Sequence, residues 1–100
     1  MDVVFSDIKL ELIETDQAHE TKLPVAIISS CRAKLVFLRS IYDERDLRNW
    51  KSLHYEKLQD DREGQRSVRL NKQWRLVFEL DEDVEPTRAT ILTVENHYEG

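Results

Sequence analysis

The sequence predicts an α+β fold, an N-terminal strand and two helices packed on one face of an antiparallel sheet. Two observations carry that prediction. Apolar residues recur at helical spacing only in the first half of the chain, and three runs of strand character, separated by turn-forming residues, fill the second half. One hundred residues suit a single domain over 1–100 with one modest core.

Taken in order, Val3–Phe5 is a short apolar run that fits a first strand. "SDIKLELIETDQ" follows, with Ser6 as cap and apolar Ile8, Leu10, Leu12 and Ile13, and reads as a short helix. "LPVAIISSCRAKLVFLRSIY", Leu23 to Tyr42, is the clearest helix. Pro24 fits its first turn, where a missing N–H costs nothing, and Ile28, Cys31, Leu35, Leu38 and Tyr42 form one stripe. Cys31 lies in that stripe and reads as a packing residue. "DERDLRNW" adds further helical turns, with Asp43 as cap and Leu47 and Trp50 facing inward. The polar "KSLHYEKLQDDREGQ" reads as a connecting loop. Strands are expected over Gln65–Leu70, Trp74–Leu80 and Ala89–Asn96, the last two joined by the acidic turn "DEDVEPTRA".

The first two of these strands fix a register. Val68 and Leu70 on one, and Trp74, Leu76 and Phe78 on the other, are the inward residues, and partners across an antiparallel ladder share a face. Leu70 then opposes Trp74, and Asn71, Lys72 and Gln73 make the turn. Arg69 is left opposite Arg75 on the other face, beside Ser67 and Val77. Like charges directly opposite are destabilising, so the pair needs an anion. The plain reading is solvation, or bridging by Glu79 or Glu95. The alternative is a phosphodiester, since guanidinium forks match phosphate oxygens and keep their charge. His97, at the end of the last strand, can approach Arg75 in a meander and titrates near neutrality.

Composition narrows the partners. The net charge is −5, yet residues 1–61, 62–75 and 76–100 carry −3, +4 and −6. The hairpin is a basic island in an acidic chain, which argues against broad nucleic-acid binding and leaves room for a local phosphate contact. A lone cysteine allows neither an internal disulfide nor a cysteine zinc cluster. "MDVVFSDIKLEL" lacks a cationic start and an apolar run, so no signal peptide is expected. Without 18 consecutive apolar residues no membrane span is expected either, and the cytoplasm is the simplest location.

"EKLQDDREGQRSVRLNKQWRLVF", followed by "TVENHY", resembles the HigB branch of the RelE/ParE toxin superfamily. The family's usual form is close to L-K-G-D-R-x-G-x-x-S-I-R-I-N-x-Q-W-R-I-x-F, with V-x-D-Y-H near the C-terminus. Arg62, Gly64, Ser67, Arg69, Asn71, Gln73, Trp74 and Arg75 match at fixed spacing; Gln59, Asp60 and Asn96 depart from the pattern. The resemblance implies a small RelE-like domain. It also implies a toxin that cleaves mRNA in the ribosomal decoding site, with the ribose 2′-OH as nucleophile and without metal or other cofactor. Arg75 and Arg69 would hold the phosphate, His97 would transfer a proton, and Glu95 would orient that histidine or act on the 2′-OH. Lys57, His54, Arg62, Asn71, Lys72 and Gln73 are the expected RNA contacts, with His54 and Lys57 the candidates to replace the family lysine that Gln59 displaces. The implied partners are a helix-turn-helix antitoxin of the HigA type, the ribosome and mRNA, with operator DNA reached only through the antitoxin. Two other readings stay open: a module that works with its antitoxin as an operon repressor, and a ParE-like gyrase poison.

Overall fold

The computed structural model describes residues 1–96. Strand β1 (Asp2–Phe5) leads into a one-turn helix α1 (Ile8–Glu11) and two 3-10 turns (Leu12–Glu14 and Ala18–Thr21). Helix α2 (Val25–Ser40), helix α3 (Glu44–Asn49) and a 3-10 turn (Lys51–Leu53) follow. The chain then forms β2 (Glu56–Lys57), a 3-10 turn (Asp60–Arg62), β3 (Gln65–Arg69), β4 (Trp74–Asp81) and β5 (Arg88–Asn96). The sheet order is β1-β5-β4-β3-β2. The expected meander of β3, β4 and β5 is present, extended by β1 running parallel to β5 and by the short antiparallel β2.

The core lies between the helices and one sheet face. Ile27, Cys31, Leu35, Leu38 and Leu47 from the helices and Val68, Leu76, Phe78, Ala89 and Ile91 from the sheet are all buried. Cys31 is a packing residue, as its stripe position predicts, and burial pushes its thiol up to about 12. Ser30 Oγ donates to Leu70 O at 2.7 Å and ties α2 to the hairpin tip. Among the described residues no helix is long and apolar enough to cross a membrane.

Several details differ from the sequence reading. Asp7, not Ser6, caps α1, its carboxylate accepting from Lys9 N at 2.9 Å. Pro24 stands one residue ahead of α2 in extended geometry, and its carbonyl accepts from Ile27 and Ile28. The helix stops at Ser40 because Ile41 is extended, so Tyr42 leaves the stripe and is exposed. Asp43 caps α3 as expected, through Arg45 N at 3.0 Å.

Trp50 is also outside its helix. It is 57% exposed and meets Phe37 only edge-on, with ring centroids 6.0 Å apart. Trp50→Ala should therefore cost about 1 kcal/mol, the worth of such an aromatic pair, in a urea unfolding titration.

The stretch read as a loop holds β2. Its two residues are both charged and carry no period, so only pairing with β3 reveals the strand: Glu56 opposes Ser67 and Lys57 opposes Arg66. Gly64 enters β3 at φ +91°, a conformation that strains any residue with a Cβ.

Candidate active site

The hairpin register is the one the alternation requires. Val68 opposes Leu76 and Arg69 opposes Arg75. Asn71 Oδ1 accepts from the backbone N–H of both Gln73 and Trp74 at 2.8 Å, which closes the turn. Asn71 thereby has a structural task, and Lys72 and Gln73 are exposed on the tip.

Beneath the two arginines, Ser67 and Val77 are buried, so this face is no open sheet surface. His54, Glu56, Ser67, Arg69 and Arg75 line a hollow of about 190 Å³. That lies below the roughly 300–1,000 Å³ of sites that engulf a whole small molecule, and it suits a single anionic group. Larger hollows, of about 580 and 660 Å³, lie beside Gln59–Gly64 and along β1; neither includes Arg69 or Arg75.

Glu95 holds Arg75. Its Oε1 accepts from Arg75 Nε at 2.9 Å, and Arg75 Nη2 stands 2.9 Å from the same oxygen. Arg62 Nη1 donates to that oxygen too, at 2.7 Å, while Arg62 Nε donates to Gln65. The third nitrogen of Arg75, Nη1, is 3.7 Å from Glu56 Oε1. Bridging by Glu95, the plain alternative for the arginine pair, is thus part of the site. Arg69 Nη1 lies 3.4 Å from His54 Nε2. Among the described residues three guanidiniums stand against two carboxylates, a net positive balance.

A bulge brings Glu95 here. Ala89 and Ile91 face the core, and alternation alone would send Glu95 inward after them. Instead, β4 pairs Val77 with Thr93 and Phe78 with Ile91, so Leu92 is the extra residue. The face changes there, Val94 packs on the core and Glu95 meets Arg75.

Burial by itself would raise the Glu95 carboxyl. The hydrogen bonds from Arg62 and Arg75 outweigh it and hold the group below its ordinary value of 4.5. A carboxyl depressed on folding adds stability that is present above its unfolded pKa and is lost as pH falls through the folded one. Glu95→Gln should therefore melt below wild type at pH 7. The gap should close as pH drops below about 4.5, which paired thermal melts across acid pH would detect.

Of the residues singled out from sequence, the structure brings together Arg75, Arg69, Glu95, Arg62 and His54. Lys57 is turned away: it shares a face with Arg66 and stands 3.8 Å from Glu44 Oε2. His97 lies outside the described residues. Glu56 was missed, because nothing in "HYEKL" marks a strand. No group of three or more His, Cys, Asp or Glu side chains among the described residues is arranged to hold a metal ion.

A family model described as the RelE-like toxin of type II toxin–antitoxin system HigB matches residues 4–91. Toxin HigB-1 of Vibrio cholerae serotype O1 is 33% identical over 79 residues, 79% of this chain and 83% of that protein. Among solved structures, the YoeB/ParE toxin from Agrobacterium tumefaciens superposes with a TM-score of 0.63 at 15% identity, covering 98% of this chain and 100% of its own. A chain of the YoeB–YefM complex from Staphylococcus aureus gives a TM-score of 0.61 at 21% identity, covering 98% of both chains. These two establish a shared fold. The family model runs from β1 into β5 and takes in the whole arginine hairpin, so this chain belongs to the HigB-like family of RelE-like toxins of type II toxin–antitoxin systems.

Proposed function

We propose that the protein is an endoribonuclease that cuts mRNA in the ribosomal decoding site and so stops translation, and that a cognate antitoxin of the HigA type silences it. The observation that carries this reading is Arg75. Its guanidinium is oriented through Nε and Nη2 by Glu95, Nη1 stands 3.7 Å from Glu56, and the residue lines the small hollow with Arg69, His54 and Glu56. A fixed guanidinium of this kind is already aimed where phosphate charge grows and needs no reorganisation during the reaction.

In the reaction the ribose 2′-oxygen attacks the adjacent phosphorus as its proton passes to a base. The bond to the 5′-oxygen breaks, and an acid protonates that leaving group. Arg75 and Arg69 hold the phosphate. Glu95 is a poor base, because two guanidiniums stabilise its ionised form; its part is to hold Arg75 and Arg62. Glu56, 61% exposed and lining the same hollow, has the freer carboxylate to accept the 2′-OH proton. His97 is the residue that the family resemblance implies for proton transfer, and with Glu56 as base it takes the part of the acid in this proposal.

Purified protein added to ribosomes programmed with a defined mRNA tests the reading. Cuts inside the decoding site that require the ribosome are expected. Intact mRNA on tightly bound ribosomes would leave a toxin that only occludes the site. Intact mRNA without binding would favour a repressor partner or a gyrase poison.

A further inference from the structure

We propose that Glu44, on helix α3, is a positioning residue for the site on the opposite face of the sheet: it anchors strand β2 from the helix side and thereby holds Glu56 against the arginines. The proposal rests on the ribonuclease reading above.

Strand parity supplies the first step. Lys57 opposes Arg66, and Arg66 opposes Phe78, so this row belongs to the core face. Tyr55, two residues before Lys57, shares its face and stacks on Phe78, with ring centroids 6.4 Å apart and planes 24° apart. Glu56 lies between Tyr55 and Lys57 and points to the other face, toward Arg75. Whatever grips Tyr55 and Lys57 therefore sets Glu56.

Glu44 grips both. Tyr55 Oη donates to Glu44 Oε2 at 2.6 Å, and Lys57 Nζ and Arg66 Nε stand 3.8 and 3.6 Å from that oxygen. The other carboxylate oxygen accepts from Arg48 at 3.1 Å, one helical turn along. An ordinary helix-surface glutamate would be satisfied by Arg48 alone. The three additional contacts all reach β2 and its flank or the strand it pairs with, and they draw the carboxylate in until it is 17% exposed. Burying a charge to that extent is costly unless it is well paired.

The strand needs such a hold. β2 has two paired residues at the sheet edge, and so short a ladder is marginal by itself. His54, just before it, turns the chain through φ +49°. Burial first, and then the hydrogen bond to Glu44, push the Tyr55 hydroxyl well above the usual phenol range, so it remains a donor.

The test uses Glu44→Ala and Tyr55→Phe, the second keeping the ring on Phe78. Cleavage of ribosome-bound mRNA should lose kcat by about tenfold or more in Glu44→Ala, the scale of a sub-ångström misplacement, with KM within about twofold because Arg69 and Arg75 are untouched. Tyr55→Phe should lose less. Amide hydrogen exchange at Glu56–Leu58 should quicken in both variants while β4 stays protected. In a Glu56→Gln background Glu44→Ala should have little further effect on residual single-turnover cleavage. A mere folding defect would lower that background by the same factor. Unchanged exchange at β2, wild-type kcat in both variants, or additive losses with Glu56→Gln would each overturn the proposal. If wild-type protein leaves mRNA intact, the ribonuclease reading fails, and the exchange measurement alone decides whether Glu44 anchors β2.

Discussion

Arg75→Ala should reduce mRNA cleavage on programmed ribosomes by about 10²–10³-fold, the usual cost of removing one preorganised charge-stabilising group. The fold should survive. Arg75 is on the face away from the helices, its neighbours in the core row are Trp74 and Leu76, and Glu95 keeps its bond to Arg62 in the variant. Arg75 is 18% and Glu95 28% exposed, so loss of this partly buried pair costs more than the roughly 1 kcal/mol of an exposed one. The retained bond to Arg62 keeps Glu95 from becoming an unpaired charge. Arg75→Lys should restore little. A lysine is a point charge and cannot both bind Glu95 and present a second fixed donor to the hollow, as Nε, Nη2 and Nη1 do here. Cleavage by Arg75→Ala at the wild-type rate would remove Arg75 from the site and shift the phosphate to Arg69 and His54. Growth arrest in cells expressing the variant without an antitoxin gives an independent readout of the same loss.

The arginine pair was legible because its neighbours are not ambiguous. Val68, Leu76 and Phe78 bury so much apolar surface that a one-residue slip would turn the whole set outward, and the register of Arg69 against Arg75 follows. Glu95 was legible as one of two acids able to bridge the arginines, with only the resemblance to prefer it over Glu79. Period two counted from Ala89 and Ile91 sends it into the core, and the extra residue at Leu92 has no mark in the sequence. The polar stretch before β3 concealed most. Without apolar alternation β2 looks like loop, which gives no reason to separate the sides of Lys57 and Glu56. Strand parity separates the two, with Lys57 at Glu44 and Glu56 at Arg75. The error at Trp50 has another origin. A large aromatic at the end of a helix reads as inward, yet the helix ends one residue earlier and the extended backbone turns the indole outward.

Phe78→Ala should destabilise the protein by about 3–5 kcal/mol, a drop of more than about 12 °C in Tm for a chain of this size. Its side chain is 0% exposed on β4, flanked by Arg66 on β3 and Ile91 on β5. Set against a typical total of about 5–15 kcal/mol, that is a large fraction of the stability. Urea titrations should show a lowered midpoint with an unchanged slope, the sign that compactness is kept while packing is lost. The consequence reaches the site because the Phe78 ring is also the floor on which Tyr55 stacks. Phe78→Leu separates the two effects: it keeps most of the buried volume and removes the flat surface under the tyrosine. If the core and the edge strand were independent, this milder variant would lose a little stability and no activity. Because Tyr55 joins Phe78 to Glu44, Phe78→Leu should also quicken exchange at β2 and lower kcat in the direction of Tyr55→Phe, measured at a temperature where both variants remain folded.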